Sequence, residues 1–165
     1  MKRSIRLVAA VMFFGAVMSL NSFGYSILCQ SAPKSFTTSA TIQPMFTCAI
    51  PANAVPTGKS LRLTAYLHPG SGPSGNTISS LWLNGTDITF TYGTAPEQTF
   101  NVIISNAGGT SWLLAGTLCN EGTSCSSTFY QGTSLPWSSG WTLEIGVDGP
   151  GNIAYGDVFI VEILD

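Results

Sequence analysis

"KSLRLTAYL", residues 59 to 67, sets the period on which the whole chain is built. Leu61, Leu63, Ala65 and Leu67 fall on one side of an extended segment, and Arg62, Thr64 and Tyr66 on the other. Successive side chains of a strand point to opposite faces, so this period of two puts one face in a core and the other in water. The alternation returns in "ITFTY" (Ile88, Phe90, Tyr92) and in "FNVII" (Phe100, Val102, Ile104). It returns again in "WTLEIGV", where Trp141, Leu143, Ile145 and Val147 oppose Thr142 and Glu144. Further strand candidates are "MFTCAI" (45 to 50), "ISSLWL" (78 to 83), "SWLLAGTL" (111 to 118), "STFYQ" (127 to 131) and "DVFIVEIL" (157 to 164).

Helical spacing is sustained nowhere beyond the first segment, and turn residues punctuate the chain at intervals of roughly ten residues. Asn84-Gly85 is a hairpin signal, because both residues tolerate positive φ. "NAGGT" (106 to 110) and "DGPGN" (148 to 152) are further tight turns, and "HPGSGPSGN" (68 to 76) is an exposed loop. The class is all-β: about nine short strands bury their apolar faces most simply as a two-sheet antiparallel β-sandwich. Jelly-roll connectivity is the first expectation and an immunoglobulin-like sandwich the second.

The first 24 residues differ from this pattern. "MKRSIRLVAAVMFFGAVMSLNSFG" has a basic start (Lys2, Arg3, Arg6), an apolar run from Leu7 to Leu20, and small residues at Ser22 and Gly24. That is the layout of a secretory signal helix, with cleavage expected near Gly24; an uncleaved anchor is the competing reading. Residues 25 to 40 then form a polar arm, and 41 to 165 a single β-sandwich domain.

Removal of the leader takes three of the six basic residues and none of the eight acids, leaving 3 − 8 = −5. Only 8% of residues are charged, so hydroxyls and amides must carry solubility. A sparse acidic exterior repels phosphate backbones and anionic lipid, which excludes nucleic acid and membrane surfaces as partners once the leader is gone. All four cysteines lie beyond the expected cut. An even number in an exported chain points to disulfides, and three pairings are open. Cys119 with Cys125 and Cys29 with Cys48 is the favoured set. A metal site is not expected, since the chain has one histidine and no CxxC pair.

Catalytic chemistry finds little to work with. A serine triad needs a histidine, and His68 sits beside Pro69 at the lip of the glycine-rich loop with no GxSxG elbow anywhere. Glu144 and Glu162 could become neighbours and supply a glycosidic acid pair, but acids on polar strand faces are more often solvating groups. No cofactor is implied, and no enzyme is expected. The aromatics offer more. Trp82 falls opposite Leu81 and Leu83, so its indole is expected outside. A sugar ring stacks on such a plate, and Trp137, Tyr66 and Tyr130 could extend it.

The segments "FTCAIPANAVPTGKSLRLTAYL" (46 to 67), "SLWLNGTDITF" (80 to 90) and "WTLEIGVDGPGNIAYGDVFIVEIL" (141 to 164) together resemble a sandwich module of phage tail-fibre and head-decoration proteins and related bacterial surface proteins. The likeness covers roughly residues 41 to 164 and rests on turn chemistry at Pro51 and Asn53. It implies a non-enzymatic module that assembles as a homo-oligomer such as a trimer or sits at the tip of a fibre; beside it, the aromatics leave a glycan or a surface protein as the expected partner. The leader and the cysteines depart from virion parts and favour an exported cellular protein, extracellular or periplasmic. Three functions follow: a structural or adhesive surface sandwich first, a carbohydrate-binding module second, a pilin-like subunit third.

Overall fold

The computed structural model describes residues 25–37, 43–69, 78–88, 97–120, 124–148 and 153–164. The expected leader lies outside the described residues, as do most of the glycine-rich loop, the "ITFTY" run beyond Ile88 and the turn at 149 to 152. No helix among the described residues is long and apolar enough to cross a membrane.

Among the described residues eleven strands form two antiparallel sheets, where the sequence suggests about nine. β1 (Tyr25–Ser31) and β2 (Lys34–Thr37) precede β3 (Gln43–Ile50), β4 (Ser60–Pro69), β5 (Ile78–Leu83) and β6 (Thr86–Ile88). β7 (Gln98–Gly108), β8 (Ser111–Asn120), β9 (Ser124–Gly132), β10 (Trp141–Asp148) and β11 (Ile153–Leu164) complete them. The large sheet runs β1-β11-β4-β7-β8-β9 with β2 also on β11, and the small sheet runs β3-β10-β5-β6.

The pairs β1–β11, β3–β10, β4–β7 and β5–β6 are nested in sequence, each inside the one before. The first and third lie in the large sheet, the second and fourth in the small one. That is jelly-roll winding, a long hairpin of nested pairs rolled into two layers. The hairpin β8–β9 is inserted between the third and second pairs and extends the large sheet past β7.

One expected boundary is wrong. Residues 25 to 37 do not lead into the sandwich as an arm: β1 supplies the outermost nested pair, and β2 continues along the same edge of β11. A bulge between Ile27 and Cys29 reverses which side chains face inward. The bulge removes the clean alternation by which a strand is recognised. β11 itself is held along both edges, by β1 and β2 on one side and β4 on the other. A pilin-like chain awaiting a partner's strand would leave such an edge open, so this pairing speaks against the third functional reading.

The core is the two inner faces. Leu61, Leu63, Ala65 and Leu67 of β4 are buried as their spacing requires, against Leu81 and Leu83 of β5 and Leu143 and Ile145 of β10 within one cluster. Phe46 and Phe159 stack across the layers at 4.7 Å between ring centroids. Cys29 of β1 and Cys48 of β3 form a disulfide that bolts the large sheet to the small one. Closing that 19-residue separation restricts the unfolded chain and stabilises the fold by about 3 kcal/mol.

Between β3 and β4 the proline-rich segment is a corner pinned from inside. Asn53 adopts φ 58°, a geometry asparagine tolerates, and its N–H donates to the Trp137 carbonyl at 2.8 Å. The buried Asn106 amide donates to the Val55 carbonyl at 2.7 Å, while its oxygen accepts from the Gly108 N–H at 2.9 Å. Asn84 (φ 51°) and Gly85 (φ 77°) make the expected β5–β6 turn.

Candidate functional site

Trp82 owes its position to the strand period. Leu81 and Leu83 are drawn into the core, so the residue between them must leave the sheet on its outer face. β5 lies between β10 and β6, and the register sets Glu144 directly beside Trp82 on one side and Asp87 on the other. Thr47 of β3 comes next in the same row and donates from its hydroxyl to the Glu144 carboxylate at 3.2 Å. The indole is half-buried, and its N–H is buried without an acceptor. What Trp82 offers outward is therefore ring carbon between two carboxylates. Such a plate stacks on the C–H face of a ring while the flanking oxygens accept hydrogen bonds from its hydroxyls.

The other three aromatics do not join it. Trp137 is only 5% exposed: its indole N–H donates to the Ser111 carbonyl at 3.1 Å, and its ring meets Trp141 edge-on at 5.2 Å. It is a core residue, which corrects its expected place on a binding surface. Tyr66 lies on the outer face of the large sheet, across the sandwich from Trp82, and its hydroxyl donates to Glu97. Tyr130 is exposed on β9, in the inserted hairpin. The four residues thus occupy four separate places.

His68 is also not where its neighbours suggest. It is a residue of β4 rather than of the loop, since Pro69 ends the strand without interrupting it. Its Nδ1 lies 2.7 Å from the Asp157 carboxylate, and its ring stacks on Tyr155 at 4.9 Å. Asp157 occupies the bulge where β11 slips by one residue against β4, which aims its side chain at the imidazole. The proposed acid pair is separated too. Glu144 is on the small sheet, whereas Glu162 is on the large one, held by Arg62 at 2.6 Å. Both expected disulfides are present, Cys119 and Cys125 being direct partners across β8 and β9.

No protein-family model matches the chain, and no curated protein matches it. Among solved structures it is similar to the CBM2 module of Lactobacillus casei BL23 phage J-1 evolved Dit. That similarity has a TM-score of 0.34 at 11% identity, over 86% of this chain and 97% of that one. The likeness to a phage module expected from the sequence is present at this loose level. The strand registers establish the sandwich without it.

Proposed function

We propose that the chain is an exported, non-enzymatic β-sandwich with a structural or adhesive role at a cell surface. The observation that carries this reading is the disulfide between Cys29 and Cys48, which joins the two layers of the fold. Bonds of that kind persist in oxidising compartments and are rare in the cytosol. The parting of Glu144 from Glu162 onto opposite outer faces supports a role without hydrolysis. His68 supports it as well, since its imidazole is engaged by Asp157 and Tyr155 rather than by a nucleophile. Fractionation of cells producing the tagged full chain tests the proposal: recovery in the surface or extracellular fraction supports it, and a reduced cytoplasmic pool contradicts it.

A second reading, binding of neutral glycans, is favoured by one arrangement: the carbon face of Trp82 between Glu144 and Asp87. A glycan array on the exported protein separates the two. Saturable binding lost in Trp82→Ala makes the surface role that of a carbohydrate-binding module. Silence across plant, bacterial and host sugars removes the glycan reading and leaves the structural one.

A further inference from the structure

We infer that the outer face of the large sheet across β7, β8 and β9 binds a neutral polysaccharide, at a site separate from Trp82. The inference rests on the glycan reading above and gives it a second place on the molecule, on the opposite layer from β5.

The strand period draws Val102, Ile104 and Leu114 into the core and turns the residues between them outward. The registers then align those outward residues in rows that cross the strands. Ile103, Ala115 and Phe129 are direct partners from β7 to β9 and are all exposed, Phe129 to 65%. Asn101, Thr117 and Ser127 form the next row and are exposed as well. On the other side, Ser105, Leu113 and Gln131 form a third. A strip of carbon one side chain wide thus runs between two rows that carry hydroxyls and amides. Residues of the first two rows line a groove of 400 Å³.

Single exposed apolar side chains need no account, but a contiguous set marks an interaction surface. The shape of this set says what it fits. A protein interface centres on a desolvated apolar cluster inside a polar rim, which three side chains in file do not supply. A sugar ring is apolar on its C–H faces and carries hydroxyls around its edge. It can lie on the strip while its edge reaches Asn101, Thr117 and Ser127 on one side and Gln131 on the other. Neighbouring strands are about 4.8 Å apart, close to the repeat of an extended hexose chain. Successive rings of a chain laid across the strands therefore meet Ile103, Ala115 and Phe129 in turn.

Charge selects the neutral polymers. β7, β8 and β9 contain no Asp, Glu, Lys, Arg or His. Past Ile103 the apolar row continues into Arg62 and Glu162, which hold each other at 2.6 Å. Glu121, in the connection between β8 and β9, lies outside the described residues. A face without cations has no counter-group for a uronate or a sulfate, and the acidic chain repels both.

The test is affinity electrophoresis of the full chain, exported with its disulfides formed, in native gels containing hydroxyethylcellulose, laminarin or galactomannan. Polygalacturonate is the anionic comparison. Retardation by at least one neutral polymer is expected. Phe129→Ala weakens it about tenfold, and Thr117→Val, which removes one hydroxyl at constant shape, about threefold or more. Ser138→Ala, in the connection between β9 and β10, leaves it unchanged. Circular dichroism reports folding, and Thr117→Val decides alone should Phe129→Ala not fold. Retardation lost in Trp82→Ala but kept in Phe129→Ala and Thr117→Val overturns this inference and leaves the glycan reading standing. Equal retardation by polygalacturonate overturns it too. Silence on every polymer, together with a silent glycan array, removes both. A dimer in sedimentation that Phe129→Ala abolishes, without retardation, overturns it and assigns the strip to contact between copies.

Discussion

The jelly-roll body and the inserted β8–β9 hairpin are built from the same alternating strands, yet they are held by different means. The body closes on itself: its inner faces meet across two layers, its last strand is paired on both edges, and the Cys29–Cys48 disulfide joins sheet to sheet. The hairpin extends one layer only. It is bound to the body through the β7–β8 ladder and through Trp112 and Leu114 of β8, which are buried in the shared core, and it is closed on itself by Cys119–Cys125. Damage to the body should therefore be global, and damage to the hairpin local.

The largest effect is expected in the body. Phe46→Ala removes one ring of the Phe46–Phe159 stack and opens a cavity between the layers, costing about 3–5 kcal/mol in denaturant unfolding. A loss under about 1 kcal/mol would mean that the two layers are not packed through this pair.

Next come the two disulfides, whose loops differ in length. Replacing Cys29 and Cys48 by alanine should cost about 3 kcal/mol, and replacing Cys119 and Cys125, only 6 residues apart, about 2 kcal/mol. The sharper distinction is in hydrogen exchange. Loss of Cys29–Cys48 should expose amides across the whole body, whereas loss of Cys119–Cys125 should expose β8 and β9 first. The reverse order would dissolve the division between body and hairpin.

Asn106→Ala should cost about 1–3 kcal/mol, because it leaves the buried Val55 carbonyl without its donor and the Gly108 N–H without its acceptor. Thermal unfolding of Asn106→Ala beside Asn106→Asp separates the two bonds: aspartate keeps the acceptor and loses the donor. The smallest effect is at Phe129, where truncation to Ser should change unfolding of the monomer by no more than about 0.5 kcal/mol. A larger loss would show that the residue packs within its own molecule.

The same division governs what could be read beforehand. Alternation in β4 and β10 marks the inner faces because Leu61, Leu63, Leu143 and Ile145 meet a second layer, so every alternate position is under the same demand. Asn84-Gly85 marks its hairpin because few other residues accept positive φ. The cysteine pairing is legible from the even count of four and from the short separation of Cys119 and Cys125.

β1 was hidden for a local reason: the bulge after Ile27 changes the phase of the strand, so its apolar residues no longer alternate. Trp137 was misplaced because no strand period covers it. It is buried by the corner at Asn53 and by Trp141, neither of which a reading of its neighbours in sequence can supply. The setting of Trp82 was half visible. Its outward direction follows from Leu81 and Leu83, but Glu144 and Asp87 reach it only through the registers of two ladders.

The layer-bridging disulfide is the physical basis of the functional reading, and it can be measured directly. Exported protein is alkylated without reductant, digested, and mapped by mass spectrometry before and after reduction. Every cysteine should escape alkylation, with one linked peptide joining Cys29 to Cys48 and another joining Cys119 to Cys125. Four alkylated thiols, or a peptide linking Cys29 to either cysteine of the hairpin, would contradict it.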